Sequence, residues 1–190
     1  ISSITSIGQS QKTEDTNKIG KFGVGFKSVF SYTSTPSVHS SSISFLIKDM
    51  LMPSKLAAEE IPDQYTTLFI FPFNNPDKSK NKAYEEVFRL FDKLSDTTLL
   101  FLNGIQEINW NIEDQECNSI KRKDKGGYIE ICSTSEDSSY WHIITKKIDI
   151  NVNNKSDSFD VKIAYAYDIN KNSIVETNGG LAVFFPADSE

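Results

Sequence analysis

The sequence predicts an α+β fold, on three observations. The glycine-rich segment Ile19–Ser31 becomes helical once its glycines are past. Ala83–Leu94 carries the three- and four-residue apolar spacing of an amphipathic helix. Around these lie short alternating or continuous apolar runs bounded by polar turns, and the second half of the chain is built almost entirely of them.

Taken in order, Ile1–Gly8 reads as the end of a helix running into a loop, and Gln9–Lys18 as a polar, mobile loop without apolar period. Within Ile19–Ser31, Val24, Phe26, Val29 and Phe30 are apolar at mixed spacings, with Lys27 and Ser28 between them. Pro36 closes that region. Val38, Ile43, Phe45 and Ile47 then alternate with serines, which predicts a half-buried hairpin over Ser37–Ile47. Leu51–Asp63, with Pro53 and Pro62, reads as an irregular connection, and Thr66–Phe73 as a buried strand ended by proline. After a polar turn over Asn74–Lys80, the helix Ala83–Leu94 presents Tyr84, Val87, Phe88, Phe91 and Leu94 to a core and turns Glu85, Glu86, Arg89, Asp92 and Lys93 away.

Leu99–Leu102, Asn103-Gly104 and Ile105–Ile112 predict strand, turn and strand. Four further strands are expected at Tyr128–Ser133, Trp141–Ile150, Val161–Asp168 and Leu181–Phe185. The composition changes over Asn111–Lys125, which divides the chain into residues 1–110 and a β-rich unit over residues 111–190.

Composition narrows the function. With 38% hydrophobic residues, 12% aromatic and 13 Phe, the chain of 190 residues can bury a core. The net charge of -6 argues against a general affinity for nucleic acid, which requires a basic surface, although Lys121, Arg122, Lys123 and Lys125 form a local basic cluster. Cys117 and Cys132 have no Cys/His neighbours at zinc-ligand spacing and read as two idle thiols in a reducing, cytoplasmic compartment. No apolar run reaches membrane-spanning length. Ile1-Ser2-Ser3-Ile4 is neither a signal peptide nor an initiator segment, so the chain reads as cut from something longer. His39, His142 and the acidic pairs Glu59-Glu60 and Glu85-Glu86 lack the partners that a triad or metal site needs, and read as structural or solvated.

The chemistry lies in Ile19-Gly20-Lys21-Phe22-Gly23-Val24-Gly25-Phe26-Lys27-Ser28-Val29-Phe30, which carries a G-x-x-G-x-G pattern. Glycines permit close backbone approach, and N–H groups ahead of a helix can receive an anion. The spacing reverses the dinucleotide fingerprint, and no hydrophobic strand precedes it. Gly20 and Gly25 have the separation of a Walker loop, but Phe26 stands where the lysine belongs and Lys27-Ser28 comes one position late. An ordinary tight loop before a buried helix would also carry such glycines.

The segment resembles the second glycine box of the GHKL (Bergerat-fold) ATPases, in the branch that holds the ninety-kilodalton heat-shock chaperones and sacsin. Phe22–Phe30 and Ile4–Lys12 are especially similar to the sacsin-type proteins. Thr66–Phe71 is similar to that family's late G-T-x-I-x-L strand, with Thr66 in place of the glycine, and the helix followed by Leu99–Leu102 looks like the segment that closes the module. The resemblance covers residues 1–110 well and the rest loosely. It implies that residues 1–110 are the C-terminal part of an ATP-binding α/β sandwich and that residues 111–190 are an antiparallel β-rich unit downstream of it.

The resemblance also implies roles. Backbone amides around Gly20, Gly23, Val24, Gly25 and Phe26 would hold the phosphates of ATP. Thr67 would lie near the adenine, where a plain strand residue is the competing reading. Ser10 and Lys12 are candidates for phosphate or lid contacts, with a solvated loop as the alternative. The general-base Glu, the Mg²⁺-binding Asn and the adenine-binding Asp of the family lie upstream of its second glycine box, and this chain opens about twenty residues before Gly20. No residue here is assigned as catalytic base or metal ligand, so hydrolysis is expected to need parts from outside the chain. The expected protein is thus a nucleotide-operated, chaperone-like module that passes a lid motion to a protein client or partner. The alternative is a non-catalytic structural or partner-binding remnant of the same fold. A DNA-handling relative fits the acidic charge and the Phe-Lys-Ser-Val-Phe ending less well.

Overall fold

The computed structural model describes residues 25–102, 104–113, 116–134, 137–152, 155–178, 181–183 and 185–187. Ile1–Gly8, the Gln9–Lys18 loop and Gly20, Gly23 and Val24 of the glycine segment lie outside the described residues. The chain divides into two compact units, Ile1–Leu90 and Phe91–Glu190. It is mostly β: among the described residues there are antiparallel sheets of four and six strands and a single α-helix.

In the first unit, the glycine segment runs into a 3₁₀ helix, Phe26–Ser31. The serine-rich alternation then forms β1 (Ser37–Ser40) and β2 (Ser44–Lys48), the expected hairpin. Asp49 and Met50 both take positive φ (51° and 62°), the backbone of a primed hairpin turn. That turn leads into β3, Met52–Lys55, where an irregular connection was expected. Pro53 obscured this strand, but β3 is an edge strand in the order β3-β2-β1-β4, where a missing N–H costs little.

β4 (Thr67–Ile70) is a strand as expected, but not a buried one. It forms the other edge of the sheet, and Phe69 is 47% and Ile70 38% exposed. The core is Val38, Phe45 and Ile47, with Phe26 and Phe30 of the 3₁₀ helix packed against it. The α-helix α1 runs from Lys80 to Asp92, close to the predicted bounds. Ala83 is buried and Val87, Phe88 and Phe91 are half-buried, while Tyr84 is exposed, so the predicted core stripe is covered only in part.

The second unit holds the six-stranded sheet in the order β10-β9-β8-β7-β6-β5, made of β5 (Glu107–Trp110), β6 (Asn118–Asp124), β7 (Ile129–Ser133), β8 (Ser139–Val152), β9 (Lys155–Asp168) and β10 (Ser173–Ile174). β11 (Leu181–Val183) pairs with β12 (Phe185–Ala187). Residues 99–102 are not the predicted strand. Asp96–Leu99 is a 3₁₀ turn, because the Thr98 hydroxyl accepts the Ser95 amide (3.2 Å) and such local bonds compete with strand pairing. That turn packs on β6 and β7, burying Leu99, Leu100 and Leu102 together with Ile120, Ile129 and Ile131 as the unit's core. Phe91 stacks on Trp110, with ring centroids 6.4 Å apart.

Candidate functional site

Three of the predicted site residues are described: Gly25, Phe26 and Thr67. Ser10, Lys12, Gly20, Gly23 and Val24 fall outside the described residues. Gly25 caps the 3₁₀ helix with φ −56° and ψ −50°, which any residue can adopt. A Cβ built on it would meet no described atom within 4 Å. Neither conformation nor packing among the described residues therefore demands a glycine here. The first bond of the turn is Ser28 N–H to the Gly25 carbonyl at 3.3 Å, reinforced by the Ser28 hydroxyl on the same oxygen at 2.8 Å. The amides of Gly25, Phe26 and Lys27 come before it and take no part in the helical ladder. The helix has only six residues, so any anion held there would rest on backbone N–H groups and little on a helix dipole.

Phe26 is the anchor of this turn. Its ring lies 6.4 Å from Phe30, 6.2 Å from Phe69 and 6.2 Å from Phe71. Thr67 is opposite Ser40, and Phe69 opposite Val38. Alternation puts Thr67 on the same face as Phe69, the face on which Phe26 packs. Thr67 is exposed. The sheet therefore carries Phe26, at the end of the glycine segment, and Thr67 on one face.

The far end of the turn is fixed by residues that sequence reading passed over as a polar turn. Asn74 Oδ1 accepts the Thr33 hydroxyl (3.1 Å) and the Ser34 amide (2.8 Å), and Asn74 Nδ2 donates to the Thr35 hydroxyl (2.8 Å). Asn75 Nδ2 donates to the Phe30 carbonyl at 2.7 Å. These bonds tie the exit of the 3₁₀ helix to the loop after β4, so the helix and Thr67's strand are held to each other at both ends. The only signal in the sequence was the Asn-Asn-Pro run, and its partners lie about forty residues away. Lys78 lies 4.2 Å over the Tyr32 ring and pairs with Glu86. A hydrogen bond from Lys78 holds the Glu86 carboxyl below its ordinary value.

His39 is buried on β1, its Nε2 3.0 Å from the Ser37 hydroxyl, and its Nδ1 has no hydrogen-bond partner among the described residues. The basic cluster sits on and just after β6. There Lys121 pairs with Glu107 (2.7 Å), and Lys125 (3.2 Å) and Lys123 (3.9 Å) with Glu130. Among the described residues no three His, Cys, Asp or Glu side chains come together as a metal site. No described helix is long and apolar enough to cross a membrane.

The sequence that carries this geometry can be compared with known families. Residues 1–60 match the Sacsin domain. The Sacsin-domain match thus takes in the whole glycine segment, the 3₁₀ helix and β1–β3. The chain is also similar to Protein NO VEIN of Arabidopsis thaliana, with 23% identity over 192 residues. That alignment takes in 89% of this chain and 7% of the relative, so the chain spans a small part of the length of the protein it matches. No solved structure matches it.

Proposed function

We propose that the chain is the ATP-binding part of a sacsin-like, chaperone-like GHKL ATPase. In this reading residues 1–110 are the C-terminal part of the α/β sandwich, and the β-rich residues 111–190 carry the nucleotide-dependent motion to a protein client or partner. The observation that carries it is the Sacsin-domain match over residues 1–60, the span that holds the complete G-x-x-G-x-G segment. The geometry supports it in two further ways: a Cβ at Gly25 would meet none of the described atoms, and Thr67 is exposed on the face where Phe26 packs.

The amides around Gly20, Gly23, Val24, Gly25 and Phe26 would receive the phosphates, Thr67 would face the adenine directly or through water, and Ser10 and Lys12 would meet the phosphates from the lid. ATP supplies the negative charge that such amides stabilise. The Mg²⁺ ligand and the general base would come from outside this chain, so binding rather than turnover is the property assigned to it. The ion pairs on Lys121, Lys123 and Lys125 support a protein partner over nucleic acid. A reducing, cytoplasmic setting fits the two free thiols, Cys117 and Cys132.

Hydrogen exchange tests this reading. Millimolar ATP should slow amide exchange over residues 9–26 and leave β6 and β7 unchanged. Unaltered exchange over residues 9–26 in a folded chain would overturn it and leave a structural or partner-binding remnant of the fold.

A further inference from the structure

β8 and β9 pair with each other from Trp141↔Ala166 to Val152↔Lys155. β7 pairs with β8 only at Ser139, Tyr140 and Trp141. From Ile143 to Ile150 the outer edge of β8 therefore pairs with no strand among the described residues. Such an edge offers a row of backbone donors and acceptors to another strand. The two faces of this ribbon differ. One carries Thr145, Lys147 and Asp149, opposite Lys162, Asp160 and Ser158. The other carries the directly opposed pairs Ile144↔Ile163 and Ile148↔Phe159, with Lys146↔Val161 between them. On this second face Ile144 is 47%, Phe159 46%, Val161 41% and Ile163 50% exposed. A contiguous exposed apolar surface of this kind marks an interaction site.

We propose that β8 pairs with β8 of a second copy of this chain, antiparallel and centred on Ile148. The charge pattern selects both partner and register. Lysines ordinarily block an edge strand, yet in this register Lys147 stands opposite Asp149 of the other copy, and Asp149 opposite its Lys147. Ile148 meets itself. Centring the pair on Lys147 or on Asp149 instead sets like charges against each other, which is unfavourable. Each Lys147 then lies between Asp160 of its own β9 and Asp149 across the interface, flanked by a carboxylate on either side. The apolar faces of both ribbons run on in one four-stranded sheet. This proposal stands independently of nucleotide binding.

The test measures mass against concentration by sedimentation, with circular dichroism to confirm folding. The wild-type chain should dimerise reversibly. Asp149→Lys and Lys147→Asp should each weaken the dimer by about tenfold or more, because attraction at both positions becomes repulsion. Mixing the two variants should restore a dimer, since each then supplies the charges that the other lacks. In a background free of native cysteines (Cys117→Ser, Cys132→Ser), Ile148→Cys should form a disulfide-linked dimer on mild oxidation, because opposed Cα atoms lie about 4.5–5.5 Å apart in such pairs. Ile144→Cys, four residues from the axis, should not. The same cross-link reports the register even where a charge variant folds poorly. A wild-type chain monomeric at all concentrations, or a dimer indifferent to both charge variants, would overturn the proposal.

Discussion

At the scale of the residue, Gly25 is informative because the fold makes so little use of it. Its φ and ψ are ordinary and its missing Cβ would touch nothing described. Gly25→Ala should change unfolding free energy by less than about 1 kcal/mol in denaturant titrations, while weakening ATP binding where phosphate approaches the backbone. A large loss of stability would make the glycine structural after all. Glu86 gives a pH prediction. Lys78 lowers its carboxyl pKa from 4.5. A carboxylate whose folded pKa is depressed adds stability above its unfolded value, and that stability is lost as pH falls through the folded value. The first unit should therefore weaken in acid below about pH 4.5. Glu86→Gln should flatten that limb of a melting-temperature profile, and an unchanged profile would remove the Lys78–Glu86 pair from the acid response.

At the scale of the element, side-chain period carried the reading where one face is buried and failed where tertiary pairing decides. The Val38/Phe45/Ile47 alternation was legible because burial of one face writes itself into the sequence, and the helix was legible from its apolar spacing although that stripe is only partly covered. β6 was not recognised as a strand, since Lys121, Arg122 and Lys123 made it look like a charged linker, yet Ile120 alone anchors it in the core and the lysines find Glu107 and Glu130. The first half of β9 was hidden in the same way by Ser, Asp and Lys. Of the candidate site, the glycine segment and Thr67 could be named from the sequence. Asn74 could not, because its role is made by partners distant in the chain. Asn74→Ala should lower stability by roughly 1–2 kcal/mol and loosen the 3₁₀ helix, visible as faster amide exchange over Phe26–Ser31. Unchanged exchange there would separate Asn74 from the positioning of the site.

At the scale of the whole molecule, each unit has its own core, and the second unit's sits under β6 and β7 rather than along the β8–β9 ribbon. Ile131→Ala should cost about 2–5 kcal/mol in urea unfolding, whereas Ile144→Ala in dilute solution should cost under about 0.5 kcal/mol. Equal costs would place the ribbon in the core. The central claim remains that the glycine segment of this Sacsin-domain match holds a nucleotide. Its most direct test is titration calorimetry with ATP and ADP, with and without Mg²⁺, on the chain and on a Gly23→Asp/Gly25→Asp variant. The claim predicts saturable one-site heat from the chain that the folded variant has lost. No heat from either protein, or the same heat from both, would contradict it.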